Sequence, residues 1–146
     1  MKIEIKIDEG CAEPKIIVVT NKVTDEINEI VKRLSGEQSQ VTAGFRDEQV
    51  IVLEPNQIVR IYASNGKVYA EAENGTYLLR LRLYEMEQRL ANQSFVRISN
   101  SEIINLKKVR GFDLSFAGTI CVSLLNGTVT YVSRRYAAKI KQLLGI

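Results

Sequence analysis

The chain has 146 residues, with 20 basic and 17 acidic side chains, two cysteines and no histidine. That length suits one domain with a small appendage, and the composition is that of an ordinary globular protein. Without histidine there is no Ser-His-Asp or Cys-His catalytic site and no histidine metal cluster; C-x-x-C, Walker and G-x-G-x-x-G motifs are also missing. No apolar run approaches the ~20 residues that span a bilayer, and Lys2, Glu4 and Lys6 break any signal-peptide pattern, so a cytoplasmic protein is expected. Cys11 and Cys121 read as small buried thiols in a reducing compartment.

In chain order, "KIEIKID" alternates strictly and predicts a half-buried strand, and "KIIVVT" after Gly10 and Pro14 predicts a second. A helix follows, with Ile27, Ile30, Val31 and Leu34 on one face. Thr24 caps it, Asp25 and Glu26 open it, Lys32 and Arg33 close it, and Gly36 stops it. Every charge in that helix agrees with its macrodipole. Residues 1–38 therefore form a strand-strand-helix extension, joined through a loop at residues 35–40 to a second unit at 41–146.

The second unit reads as mainly β with α. "QVTAGF", "EQVIVLE", "IVRIYA", "KVYAEAE" and "TYLLRL" are predicted strands, and Asn65-Gly66 and Asn74-Gly75 are hairpin signals. A helix carrying Leu83, Met86 and Leu90 leads to the strand "SFVRIS" and an irregular polar stretch, "NSEIINLKKV". "RGFDLSF" and "TICVSLL" pair around Ala117 and Gly118, and Asn126-Gly127 turns the chain into "TVTYVS". The final helix opens after Ser133, a plausible N-cap, and buries Tyr136, Ile140, Leu143 and Leu144.

That last helix breaks the rule its predecessor keeps. Arg134 and Arg135 sit in its first turn, where a cation gives up about 0.3–1 kcal/mol that an acid would gain. Charge is segregated in the same direction: residues 97–146 hold 8 basic and 2 acidic side chains, while residues 1–48 hold 7 and 10. A solvated basic face is one reading. The other is a surface for a phosphate-rich polymer, with exposed N–H groups and guanidinium forks facing it together. In "FVRISNSEIINLKKV", Ser99, Asn100 and Ser101 form a polar cluster that is equally a turn device. Asn100 has the amide geometry suited to adenine, while Lys107 and Lys108 suit phosphates. The hairpin tip with Asn65 and Lys67 is a third candidate.

These segments, in this order, resemble the LytTR family of bacterial DNA-binding domains. The likeness lies in "FVRISNSEIINLKKV", then "LLNGTVTYVSRRYAAKIKQLL" after a hairpin, with "IVRIYASNGKVYAEAENG" and "LRLYEMEQRL" upstream. It covers about residues 41–146. The resemblance implies an elongated assembly of antiparallel sheets that binds duplex DNA through loops, as a transcription regulator and not an enzyme. It implies Asn100 and Arg135 as base contacts, with Asn65 and Lys67 in a further reading loop. Arg134, Lys107, Lys108, Ser99 and Ser101 would then touch the backbone. Ser99 stands where many members carry histidine, and Lys67 departs similarly, so no operator sequence carries over.

Residues 1–38 are too short for a phosphoacceptor receiver domain and look like the extension of stand-alone members. Such members imply a homodimer, or paired binding on double-stranded DNA, and a membrane-protein inhibitor as partner. They imply neither cofactor nor metal nor small-molecule substrate. The competing expectation is a β-rich protein-interaction or ligand-binding module whose basic edge is incidental.

Overall fold

The first helix forms where its caps place it. In the computed structural model, which describes residues 1–35, 41–115 and 118–146, α1 spans Asp25–Ser35 and Thr24 Oγ1 accepts from the Ile27 amide at 3.3 Å. Ile27 and Ile30 are half-buried, whereas Val31 and Leu34 on the same stripe stay exposed. The two strands expected before it do not form: residues 1–24 carry no strand. A strand needs a neighbour to take its N–H and C=O groups, and these segments have none among the described residues. Cys11 is exposed and Cys121 half-buried, so neither is the buried thiol expected. Met1–Ser35 is one compact unit, and the described residues from Val41 onward belong to a second. The linker expected at residues 35–40 lies, beyond the end of α1, outside the described residues.

The second unit holds ten strands and two further helices among its described residues. β1 (Thr42–Arg46) and β2 (Gln49–Leu53) make a hairpin; β3 (Ile58–Ser64), β4 (Lys67–Ala72) and β5 (Gly75–Leu79) make a meander. α2 (Leu83–Arg89) leads into β6 (Phe95–Ser99) and β7 (Glu102–Asn105). β8 (Val109–Asp113), β9 (Ile120–Leu124), β10 (Val129–Val132) and α3 (Arg134–Leu144) complete the chain. A seven-stranded sheet has the order β2-β1-β5-β4-β3-β7-β6, and a second sheet has the order β10-β9-β8. Every recorded pairing is antiparallel. Asn65 and Gly66, with φ of 52° and 74°, take the left-handed conformations that a two-residue hairpin demands.

β7 is the strand that sequence pattern hides. All four of its residues are buried. Ile103 packs into a core with Ile58, Ile61, Leu79 and Met86, while Ile104 points the other way, into a core with Val96, Ile98, Val122, Val132 and Ile140. A strand covered on both faces shows no polar alternation, which is why "EIIN" reads as irregular. Its C-terminal polar residue is satisfied: Asn105 Nδ2 donates to the Ile58 carbonyl at 2.9 Å, and Asn105 Oδ1 accepts from the Lys107 amide at 3.0 Å.

Arg60 holds two carboxylates of the larger sheet through which the two sheets meet. Its Nη2 lies 3.1 Å from Glu71 Oε1 and its Nη1 3.2 Å from Glu102 Oε1, with the guanidinium 4.4 Å from the centroid of the Tyr62 ring. The smaller sheet answers on both carboxylates. Thr130 Oγ1 donates to Glu102 Oε1 at 2.9 Å, while Asn126 Nδ2 and Thr128 Oγ1 donate to Glu71 Oε2 at 2.8 and 2.9 Å.

Burial works against ionised Glu71, but hydrogen bonds from Asn126, Arg60 and Thr128 outweigh it and hold its pKa below the ordinary 4.5. At Glu102 burial wins over Thr130 and Arg60 and pushes the pKa above 4.5; its Oε2 is buried without a partner among the described residues. The linkage signs are opposite. The Glu71 contribution is present above its unfolded-state pKa and lost as pH falls through the lowered folded value. The Glu102 contribution is full below its unfolded-state pKa and lost as pH rises through the raised folded value. Glu71→Gln is therefore expected to cost about 1–2 kcal/mol at neutral pH and to flatten the acid-side loss of stability. Urea unfolding from pH 3 to pH 8 measures both, and an acid limb identical to that of the parent would contradict the assignment.

Candidate nucleic-acid interface

Two hairpin turns and one helix start converge on the same end of the larger sheet. β3 and β7 are neighbours, with Tyr62 opposite Glu102, and the ladder continues as the Ala63 amide donates to the Ser101 carbonyl at 2.8 Å. The β3–β4 turn, with Asn65 and Gly66, and the β6–β7 turn, with Asn100, thus leave the sheet side by side. β10 runs toward the same end, where the Ser133 amide donates to the Ile98 carbonyl at 2.9 Å and α3 begins.

The β6–β7 turn is held from below by Arg97. Its Nε donates to the Ser99 carbonyl at 2.7 Å and its Nη2 to the Asn100 carbonyl at 2.6 Å. Its Nη1 is anchored on Glu87 Oε2 of α2, also at 2.6 Å. One rigid planar fork with five donors holds two neighbouring carbonyls and a carboxylate in fixed directions, a geometry that a lysine ammonium does not impose. Ser99 adds a local bond, its Oγ accepting from the Ser101 amide at 3.2 Å, and its hydroxyl lies 3.3 Å from that of Ser101. With its backbone fixed, Asn100 presents its side chain outward.

Arg135 reaches that side chain. Its Nη1 donates to Asn100 Oδ1 at 3.3 Å, and its guanidinium lies 5.6 Å from the centroid of the Tyr136 ring. Ser133 occupies the N-cap position with extended backbone (φ −69°, ψ 156°), but its side chain makes no capping hydrogen bond. The helix start carries no acid and no side-chain cap, only exposed Arg134 and Arg135. Arg134 leans toward the β8–β9 loop, where a side chain at Gly118 would come within 3.2 Å of its Nε. Together with Lys141 it lines a shallow cleft that also includes Leu114 and Ala137.

The structure thus brings together Asn65, Lys67, Ser99, Asn100, Ser101, Arg134 and Arg135. Lys107 and Lys108 stand apart from them, in the short turn Leu106–Lys108 at the opposite end of β7. There Lys108 Nζ is paired with Glu73. Arg97 and Glu87 were not singled out from sequence. An arginine alternating with Val96 and Ile98 reads as solvent-facing, yet its side chain is only 14% exposed.

Clustered turns at one end of a β-rich unit thus present an amide and a guanidinium together to solvent. Residues 48–145 match the family model of the LytTr DNA-binding domain, and the chain belongs to that family. The chain is 31% identical, over all of its length and 99% of the relative's, to a protein named an uncharacterized HTH-type transcriptional regulator in Staphylococcus aureus strain NCTC 8325. The same values relate it to a like-named protein of strain COL. Among solved structures, a LytTr DNA-binding domain from a Bacillus cereus response regulator superposes with a TM-score of 0.70 at 27% identity. It covers 73% of this chain and 97% of its own. The protein is a DNA-binding transcription regulator of the LytTR type.

Arg97 makes a prediction possible that does not touch DNA directly. Arg97→Met removes three hydrogen bonds under the turn and is expected to cost about 1–3 kcal/mol of stability. It should also weaken binding to a cognate duplex at temperatures where the variant remains folded. Thermal melts and duplex titration read the two effects; a destabilised variant with undiminished cognate affinity would show that the turn needs no such support.

Proposed function

We propose that this regulator reads duplex DNA with the turn edge of its larger sheet, Asn100 and Arg135 making the base contacts. The supporting observation is the 3.3 Å hydrogen bond between their side chains. It sets an amide and a guanidinium side by side, the two groups best matched to adenine and guanine edges in the major groove. Asn65 and Lys67 form the neighbouring reading loop. Arg134, Ser99 and Ser101, with the open amides of the α3 start, take phosphates. The opposite placement of Lys107 and Lys108 argues against direct contacts from them in the same groove.

No helix among the described residues is long and apolar enough to cross a membrane, consistent with action in the cytoplasm. The protein acts by binding, not catalysis, and two copies occupy paired operator elements, with Met1–Ser35 supplying the contact between them.

Arg135→Ala is expected to cost about 1–3 kcal/mol, mainly on the preferred sequence selected from random duplexes. Arg134→Ala should weaken all duplexes alike and lower the salt slope by about one. Fluorescence titrations across a salt series on selected and scrambled duplexes make the comparison. A uniform loss from Arg135→Ala would remove its base-reading role, and failure to bind any duplex at low salt would remove the reading altogether.

A further inference from the structure

The first residues have the pattern of a strand but join no sheet. Ile3, Ile5 and Ile7 are 87%, 91% and 89% exposed. Lys2 Nζ lies 3.0 Å from Glu4 Oε1, so charged side chains share the other face. Among the described residues, Lys2–Asp8 joins no ladder. Strict alternation of isoleucine with charge is the pattern of a strand with one covered face, and something outside the single chain must complete it.

The order of the charges says what that is. Laid antiparallel against a second copy about a two-fold axis through Ile5, the segment is self-complementary. Lys2 then faces Asp8, Ile3 faces Ile7, Glu4 faces Lys6, and Ile5 faces Ile5 of the second copy. Sliding the antiparallel pair by two residues either way sets Glu4 on Glu4 or Lys6 on Lys6. A slide by one sets isoleucine against charge. Parallel pairing in register puts every charge on its like, and a staggered parallel pair does not close on itself. Directly opposed unlike charges stabilise an antiparallel pair, and like charges destabilise it. The Lys2–Glu4 contact within one chain is an exposed pair of little strength and is readily exchanged.

We propose that residues 2–8 pair with the same residues of a second copy as a closed antiparallel ladder centred on Ile5. The proposal rests on the two-copy reading above and gives it an interface. The pairing sets three isoleucine pairs side by side on one face, where they pack laterally, and satisfies the backbone along one edge of the segment. The other edge is left for "KIIVVT", whose Ile16, Ile17 and Val19 are likewise exposed in the single chain.

The test uses the full chain without DNA, by sedimentation equilibrium. The parent should be a dimer, Glu4→Lys and Lys6→Glu should each weaken it on the order of tenfold, and the double exchange Glu4→Lys with Lys6→Glu should restore it. In a background of Cys11→Ser and Cys121→Ala, Ile5→Cys should form an intermolecular disulfide on mild oxidation, whereas Lys2→Cys should not. A dimer that ignores the charge exchanges and does not cross-link at Ile5→Cys would overturn the ladder while leaving the two-copy reading in place. A monomer at every concentration would overturn both and give the segment to a partner of another kind.

Discussion

The edge proposed to read DNA depends on a guanidinium that would not itself meet DNA. Arg97 ties the carbonyls of Ser99 and Asn100 to Glu87 of α2, and so couples a two-residue turn to the helix behind it. A turn with only its own serine bonds would sample several conformations, each pointing Asn100 elsewhere. Ordering groups before the ligand arrives removes a cost that binding would otherwise carry, and side-chain specificity follows from backbone placement. The amide from Ser133 to the Ile98 carbonyl extends the same logic to α3, because it seats the helix start on the strand that carries Arg97.

Against that frame the charge of the last helix has a physical account. α1 follows the dipole rule, with acids first, bases last and a threonine cap in place. α3 instead puts bases in its first turn as well as its last, and the Ser133 hydroxyl leaves the first amides without a side-chain acceptor. A helix start with open N–H groups and two arginines is costly alone but suited to an anion. The 3.3 Å bond to Asn100 gives Arg135 a neutral partner in the unbound protein, one that does not neutralise its charge.

Local signals in the sequence located the helices, most of the β-sheet and all three Asn-Gly turns. They failed where tertiary contacts override pattern. β7 shows no alternation because Ile103 and Ile104 serve two different cores, and its ends, Glu102 and Asn105, are polar yet buried. "KIEIKID" shows perfect alternation and forms no strand, because alternation describes a covered face and does not supply the neighbour. Asn100 and Arg135 were legible as residue types, but their contact was not, since it depends on how β10 and β6 align. Lys107 and Lys108 follow Asn100 closely in sequence, yet a strand separates them in space. Arg97 was invisible as a support because two of its three partners are backbone carbonyls, which a sequence does not display.

The central claim is that one end of the sheet, and not the other, faces the duplex. Backbone amide shifts during titration with a selected duplex test it residue by residue. The account predicts that Asn65–Lys67, Ser99–Ser101 and Ser133–Arg135 move together, while Lys107, Lys108, Asn126 and Gly127 at the far end stay in place. Shifts concentrated on Lys107, Lys108 and the Asn126 turn, with Asn100 and Arg135 unmoved, would contradict it.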